Sequence, residues 1–313
     1  TTNTVSLWLS RDNGANWEVL TNNVAATNGA IWCQNTSSND SSALYAKWKV
    51  ELESDPSIYS QTPTSFSYKN GPYLYYVNDA STNGDVYCSA VGNDANLGLS
   101  AGSPAATLTN ILQQHTLVAG DRIYVDTGSY SNATVVTLTW ADAGTATNPV
   151  VIQGSTNRAA GGSVFGRPGV IPTEFSFIFP VSATRAPSNF VLRNLILTNV
   201  TRGVAMTNAV NIVLDGIEVR SATTRAFDLQ GVTRDVELLR CVAHGGGTGV
   251  YLNQASNIFI RHSVFWENNN AIYAGSQVGV AVQNSILASA NSNAVLYSFG
   301  SLTGFISDYN GLY

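Results

Sequence analysis

From residue 188 onward the chain repeats itself every 22 to 25 residues. Asn189-Phe190-Val191-Leu192 is followed by Asn211-Ile212-Val213-Leu214, Asp235-Val236-Glu237-Leu238, Asn257-Ile258-Phe259-Ile260, Gly279-Val280-Ala281-Val282 and Gly304-Phe305-Ile306-Ser307. The leading apolar residues are spaced 22, 24, 22, 22 and 25 apart. A second run recurs between them, led by Val204, Phe227, Val250, Ile272 and Val295. No helical pattern lies inside the period, and the Leu/Asn consensus of a leucine-rich repeat is missing. The period therefore predicts a β-solenoid, whose single coil cannot bury its apolar side until another coil stacks on it at about 4.8 Å. The Asn, Asp or Gly before each strand fits a corner that needs left-handed backbone, and stacked amides there can bond along the ladder. Cys241 falls in register with Leu195 and Ile217, which points it into the core.

The rest of the chain also reads as short strands between Gly, Asn, Ser and Thr turns, with one helix expected over Ser103–Ala119. Ser103 would cap it, Pro104 suits its first turn, and Leu108, Ile111, Leu112 and Leu117 make its apolar stripe. Residues 1–69 form a separate unit. Strands are expected at Val5–Leu9, Trp17–Leu20, Ala43–Val50 and Thr64–Tyr68, with Trp8, Trp17, Trp32 and Trp48 filling the core of a small β-sandwich rather than making an exposed sugar platform. All three lysines, Lys47, Lys49 and Lys69, lie here, and the composition shift near residue 70 sets the boundary to a second domain, 70–313.

Only 11% of residues are charged, against roughly 25% for an ordinary soluble domain, so Asn, Thr, Ser and Gly must form much of the surface. A net charge of −5 argues against nucleic acid as a partner. No apolar run is long enough for a membrane span. The first residue is Thr1, which is expected of a processed or trimmed segment. Cys33, Cys88 and Cys241 give no disulfide framework and are expected to be buried thiols. The sequons at Asn35, Asn39, Asn132 and Asn199 are at the level chance gives in so Asn- and Thr-rich a chain.

Residues 75–165 carry a series of motifs. Tyr75-Tyr76-Val77-Asn78-Asp79-Ala80 precedes Gly84-Asp85-Val86-Tyr87-Cys88-Ser89-Ala90-Val91-Gly92-Asn93-Asp94-Ala95-Asn96; later come Ser103-Pro104-Ala105-Ala106-Thr107-Leu108, Gly120-Asp121-Arg122-Ile123-Tyr124-Val125-Asp126 and Pro149-Val150-Val151-Ile152-Gln153-Gly154. This stretch resembles the N-terminal segment of right-handed parallel β-helix proteins of the pectin-lyase-like type, found in large secreted or surface polypeptides of bacteria. The resemblance covers about residues 75–313. It implies a right-handed solenoid whose N-terminal end is capped by the helix, and an extracellular or cell-surface location. Many such proteins have no assigned reaction. More weakly, residues 5–68 resemble a fibronectin/immunoglobulin-like module, through Ser10-Arg11-Asp12-Asn13-Gly14-Ala15-Asn16-Trp17 and Phe66-Ser67-Tyr68. Both ends of the chain look unfinished against these patterns.

β-Helix enzymes act on polysaccharides with a Lys or Arg base, often with Ca²⁺, or with clustered Asp. Lysine is absent after Lys69, which leaves Arg193, Arg220, Arg240 and Arg261. An arginine base must lose a proton at a pKa above 12, so pairing with Asp215, Glu218, Asp228 or Glu237 is the expected use of these residues. No acidic pair recurs in register, and neither His244 nor His262 has an evident partner. No catalytic residue is assigned. Asp94 and Asn96, in Asp94-Ala95-Asn96-Leu97-Gly98, resemble the first half of a Ca²⁺ loop and are the candidate metal ligands, but an Asx turn leading to the helix is the preferred reading of them.

The outward residues of the first repeated strand are Val191, Val213, Glu237, Phe259, Ala281 and Ile306, and those of the second are Ala205, Asp228, Tyr251, Tyr273 and Leu296. An apolar outer face usually marks a contact site. Val191, Val213, Phe259, Ile306, Tyr251 and Tyr273 are therefore the candidate assembly interface; a glycan surface, or cover by the loop 155–187, would also account for them. The expected function is an extracellular structural protein that assembles with copies of itself into a homo-oligomer or polymer, with a polysaccharide-binding or polysaccharide-cleaving module as the alternative.

Overall fold

The structure, a computed structural model, describes residues 3–26, 43–68, 72–131, 135–166, 173–180, 185–289, 296–298 and 300–312. The chain divides into two compact units, residues 1–72 and 73–313.

The first unit is an antiparallel sheet of five strands, Thr4–Ser10, Glu18–Ala25, Ala43–Leu52, Asp55–Gln61 and Phe66–Tyr68. Asn13 and Gly14, both at positive φ, turn the first hairpin. The strand Asp55–Gln61 escapes sequence reading because Pro56 breaks its alternation; it hairpins back onto the third strand, pairing Tyr59 with Glu51. The tryptophans divide differently from the expected common core. Trp48 packs against the buried Leu9 and Ala46. Trp8 and Trp17 instead flank Lys49, whose Nζ lies 4.6 and 5.2 Å from their ring centroids and 2.7 Å from Glu51. The Lys49 stem thus covers aromatic surface while its ammonium keeps an ion-pair partner. Trp32 and Cys33 lie outside the described residues.

The second unit is a parallel β-solenoid. Its coils run in turn through three sheets, with strands such as Ser188–Arg193, Leu195–Thr198 and Val200–Thr207 in one coil and Val210–Asp215, Glu218–Arg220 and Arg225–Gln230 in the next. The register follows the repeat: Phe190, Ile212, Val236, Ile258 and Val280 pair in succession on the first sheet. All are buried, and they stack down one continuous core with Val204, Phe227, Val250 and Ile272 of the third sheet. Here the sequence reading needs one correction. Ile272 pairs with Leu296 and Tyr273 with Tyr297, so Leu296 holds the register position of the inward residues and not the outward one expected of it. The connection to the last coil is one residue longer than the earlier period. Val295 lies outside the described residues.

Corners explain the Asn-rich composition. Asn189, Asn211, Asp235, Asn257, Gly279 and Gly304 all have φ between 50° and 67°. The amide of Asn211 donates to Asn189 at 2.7 Å and that of Asn257 to Asp235 at 3.1 Å. A second left-handed row, Asn194, Gly216, Arg240, His262, Asn284 and Tyr309, turns each coil from the first sheet to the second.

The helix is shorter than expected, Leu108–Gln114, and Thr107 rather than Ser103 caps it, accepting from Asn110 N. Residues before it are drawn into extended backbone: Ala105 bridges Val77, with Ala105 N donating to Tyr76 O and Asn78 N to Ala105 O. Leu108 and Ile111 join the core cluster beside Ile123 and Val125. The segment 155–187, a candidate cover for the outer face, is in much of its described part built into the coils instead. Its residues Ser163–Gly166 and Thr173–Phe179 are strands of the second and third sheets.

Candidate functional site

On the outer face of the first sheet, one row of side chains faces solvent beside the corner to the second sheet. Register places Tyr124, Gln153, Arg193, Asp215, Leu239 and Arg261 in line. With Tyr87, Arg122, Thr156, Asn194 and Arg240, the first four of these line an open groove of about 490 Å³.

Asp215 is its electrostatic centre. It is only 7% exposed. Arg240, from the next coil, holds it with both ends of the guanidinium, Nη2 lying 2.6 and 2.7 Å from the two carboxylate oxygens and Nε 3.0 Å from Oδ1. Arg193, from the previous coil, brings Nε to 3.4 Å from Oδ2, yet that N–H finds no hydrogen-bond acceptor. Its side chain is 41% exposed. Arg122, on the strand Arg122–Val125, is exposed and makes no ion pair or side-chain hydrogen bond among the described residues. Two guanidiniums thus hold one carboxylate and a third lines the same groove, in a chain of net charge −5. Arg240 also occupies the left-handed corner at φ 53°, where Gly216 and His262 sit in the neighbouring coils. For a residue other than Gly or Asn that conformation costs roughly 1 to 2 kcal/mol, which the bidentate pair offsets.

The aromatic wall comes from the segment before the cap helix. Asp126, fully buried, accepts from Val86 N, Tyr87 N and Cys88 N at 2.6 to 2.7 Å, which pins that segment to the coil. Tyr87 then packs at a tilt of 30° on Tyr124, with centroids 4.6 Å apart, and donates its hydroxyl to Gly154 O at 3.1 Å. Burial pushes the Tyr87 hydroxyl above its ordinary pKa, so it stays a donor. The pairing is legible in hindsight from Tyr124, an outward aromatic in Arg122-Ile123-Tyr124-Val125, but nothing in the sequence brings Tyr87 across to it.

The other arginines take the ion pairs expected of them. Arg261 reaches Glu237 at 2.9 Å, and Arg220 reaches Glu218, two residues away on its own strand, at 2.6 Å. Asp228, at 1% exposure, is held by Arg202 and Arg225 at 3.2 and 3.0 Å and by Gln230. His244 does have a partner that sequence reading missed: it stacks on Trp266 at 5.1 Å and lies 3.7 Å from Glu218. Burial pushes the Glu218 carboxyl up, but Arg220, Arg158 and His244 outweigh it and hold the carboxyl below its usual range.

The candidate calcium residues support the cap. Asp94 Oδ1 accepts from Ala106 N and Thr107 N, both at 2.9 Å, and Oδ2 accepts from the Thr107 hydroxyl. The Asn96 amide donates to Pro104 O at 3.0 Å. No group of three or more His, Cys, Asp or Glu side chains placed to hold a metal occurs among the described residues.

The candidate assembly residues are unequally exposed. Val191 and Ala281 are each 7% exposed, Val213 and Phe259 are half-buried, and Arg261 lies over the Phe259 ring at 4.7 Å. Ile306 is open. Tyr251 and Tyr273 stack on each other at 5.4 Å, with Arg225 capping Tyr251 at 3.4 Å. Tyr251 is thus covered on both ring faces and Tyr273 on the face turned to Tyr251.

A second hollow, about 400 Å³, lies beside the helix between Leu112, Gln113, Thr137 and Asp142. Its ionisable groups already serve the fold: Asp142 caps the 3₁₀ turn Trp140–Asp142, and His115 Nε2 sits 2.9 Å from Leu97 O. The groove around Asp215 is the better candidate.

No helix among the described residues is long and apolar enough to cross a membrane. No curated protein matched the sequence. A rhamnogalacturonan lyase of known structure superposes with a TM-score of 0.53 at 16% identity, over 76% of this chain and 62% of that one. A GH136 lacto-N-biosidase from Eubacterium ramulus gives a TM-score of 0.43 at 11% identity, over 77% of this chain and 51% of that one. The chain therefore spans less than two thirds of either protein, and at these identities the likeness is one of fold. The model of the right handed beta helix region matches residues 121–287, which is more than half of the sequence. With three parallel sheets, one stacked core and that match, the chain belongs to the right-handed β-helix family.

Proposed function

We propose that this chain binds an acidic polysaccharide, outside the cell, along the outer face of its first sheet. One observation carries the reading: among the described residues, Arg122 and the terminal nitrogens of Arg193 are uncommitted in a groove that also holds two tyrosines in contact, their ring planes 30° apart. Guanidiniums recognise carboxylates through paired N–H donors, and an aromatic wall suits the apolar face of a sugar ring. The local excess of positive charge in an acidic chain selects for uronate-bearing polymers over neutral ones. Naming of the lyase as a fold neighbour agrees in substrate class, but the proposal stands on the groove.

The reading is binding, not cleavage. Asp215 is the one carboxylate lining the groove, and Arg240 occupies both its oxygens, which makes it a poor proton acceptor. Self-assembly through the first sheet draws little support from a face whose apolar residues are mostly shielded within the chain. The test is titration of the protein with polygalacturonate and with a neutral β-1,4-galactan, following heat of binding and the ultraviolet absorbance of any unsaturated product. Saturable binding of the acidic polymer without product is expected. Equal affinity for both polymers would overturn the proposal.

A further inference from the structure

The second sheet carries its own row of stacked side chains, remote in sequence from the groove's aromatic wall. Arg220, His244 and Trp266 pair in succession on three coils. The His244 and Trp266 rings are nearly parallel, 17° apart. Their faces therefore look along the solenoid, each covered by the next rung. The row then stops. Phe265 pairs with Leu287 and Asn268 with Ser289, so Ala288 alone stands opposite Trp266 and Glu267. A methyl group replaces the ring that would continue the stack, and Trp266 is left 38% exposed.

Two further observations set this place apart. The two-against-one pairing is a β-bulge, a feature that re-aims side chains and is over-represented beside binding sites. Glu267, in the bulge, holds a left-handed φ of 52°, a strained conformation for such a residue, and is exposed without a side-chain partner among the described residues. Asn268 locks the bulge from inside, donating to Ala243 O at 2.8 Å and accepting from Gly246 N. The Trp266 ring is thus covered on one face by His244, and among the described residues only the methyl of Ala288 stands opposite the other.

We propose that this notch is a saccharide-binding site in which one pyranose ring takes the vacant rung over Trp266. Adjacent rungs are about 4.8 Å apart, which is the separation a ring stacked on an indole face needs. The electron-rich face of the indole attracts the C–H groups of a sugar's apolar face. Glu267 offers an acceptor to its hydroxyls. The occupant is a neutral or weakly charged sugar, since Glu267 brings negative charge to a spot where Arg220 is already paired with Glu218. The inference rests on the polysaccharide reading but uses a separate set of residues.

The test follows tryptophan emission of the full chain while titrating β-1,4-galactan, polygalacturonate and a xylan. It uses the wild type, Trp266→Phe, Trp266→Ala, Ala288→Leu and the groove variant Arg193→Ala/Arg240→Ala. At least one neutral polymer is expected to change the emission of wild type but not of Trp266→Phe, which retains binding. Trp266→Ala removes the platform and Ala288→Leu fills the notch while leaving Trp266 in place; each should weaken that polymer at least tenfold. The groove variant should leave this signal intact. Wild-type affinity in Ala288→Leu, no emission change with any polymer, or loss of the signal in the groove variant would overturn the notch. Unaltered polygalacturonate binding in the groove variant would overturn the groove reading alone.

Discussion

Asp228 joins charge to burial. It has almost no contact with solvent and depends on Arg202 of the preceding coil and Arg225 of its own strand. Removing one partner of a buried pair strands the others. Asp228→Ala should therefore cost about 3 kcal/mol, read as a lowered urea midpoint, and a wild-type midpoint would refute the pairing. Cys241 makes the second residue-scale prediction. Its thiol is fully buried and donates to Leu214 O at 3.3 Å. Burial pushes its pKa from 9.0 up to about 12. The unfolded chain releases that proton first, so the contribution is whole below about pH 9 and is lost as pH rises towards 12. Stability should fall across that window, and less so in Cys241→Ala. In the native protein the thiol should also resist alkylation at pH 8.

At the scale of the element, the corner ladders decide whether coils stack. Asn211 combines a left-handed backbone with an amide bond to Asn189. Asn211→Ala loses both and should destabilise by about 2 kcal/mol, whereas Asn211→Gly keeps the backbone freedom and should cost about half as much. Equal effects would mean the amide ladder contributes nothing. The same ladders explain why the solenoid was legible in the sequence. Each coil repeats the same packing problem, so Asn or Gly recurs at the corner and an apolar residue at the inward position. The helix boundaries were less legible. Ser103-Pro104 has the chemistry of a helix start, but Ala105 is taken by the edge of the first sheet and Thr107 caps instead. The strand Asp55–Gln61 hid for a similar reason, since a hairpin pairing outweighed its weak local pattern.

For the molecule as a whole, the site was only half legible. Register from the repeat placed Arg193 above Asp215, yet sequence reading took that pair as structural and looked for function in apolar outward residues. Two facts were out of its reach. Arg240 folds back from a corner to Asp215, and Asp126 brings Tyr87 over Tyr124 from 37 positions away in the chain. Both are long-range consequences of stacking, which no local pattern encodes. The groove they complete carries three arginines against one aspartate in a chain of net charge −5, and attraction of that kind is screened by salt. The affinity for polygalacturonate should therefore drop several-fold between low and physiological ionic strength. The most direct measurement is the polygalacturonate affinity of wild type beside Arg193→Ala, Arg240→Ala and Arg122→Ala, with folding checked by circular dichroism. The groove account predicts at least a tenfold loss in the Arg122 and Arg193 variants, which remove, among the described residues, an unpaired guanidinium and a pair of uncommitted terminal nitrogens. Wild-type affinity in both, with the fold intact, would contradict it.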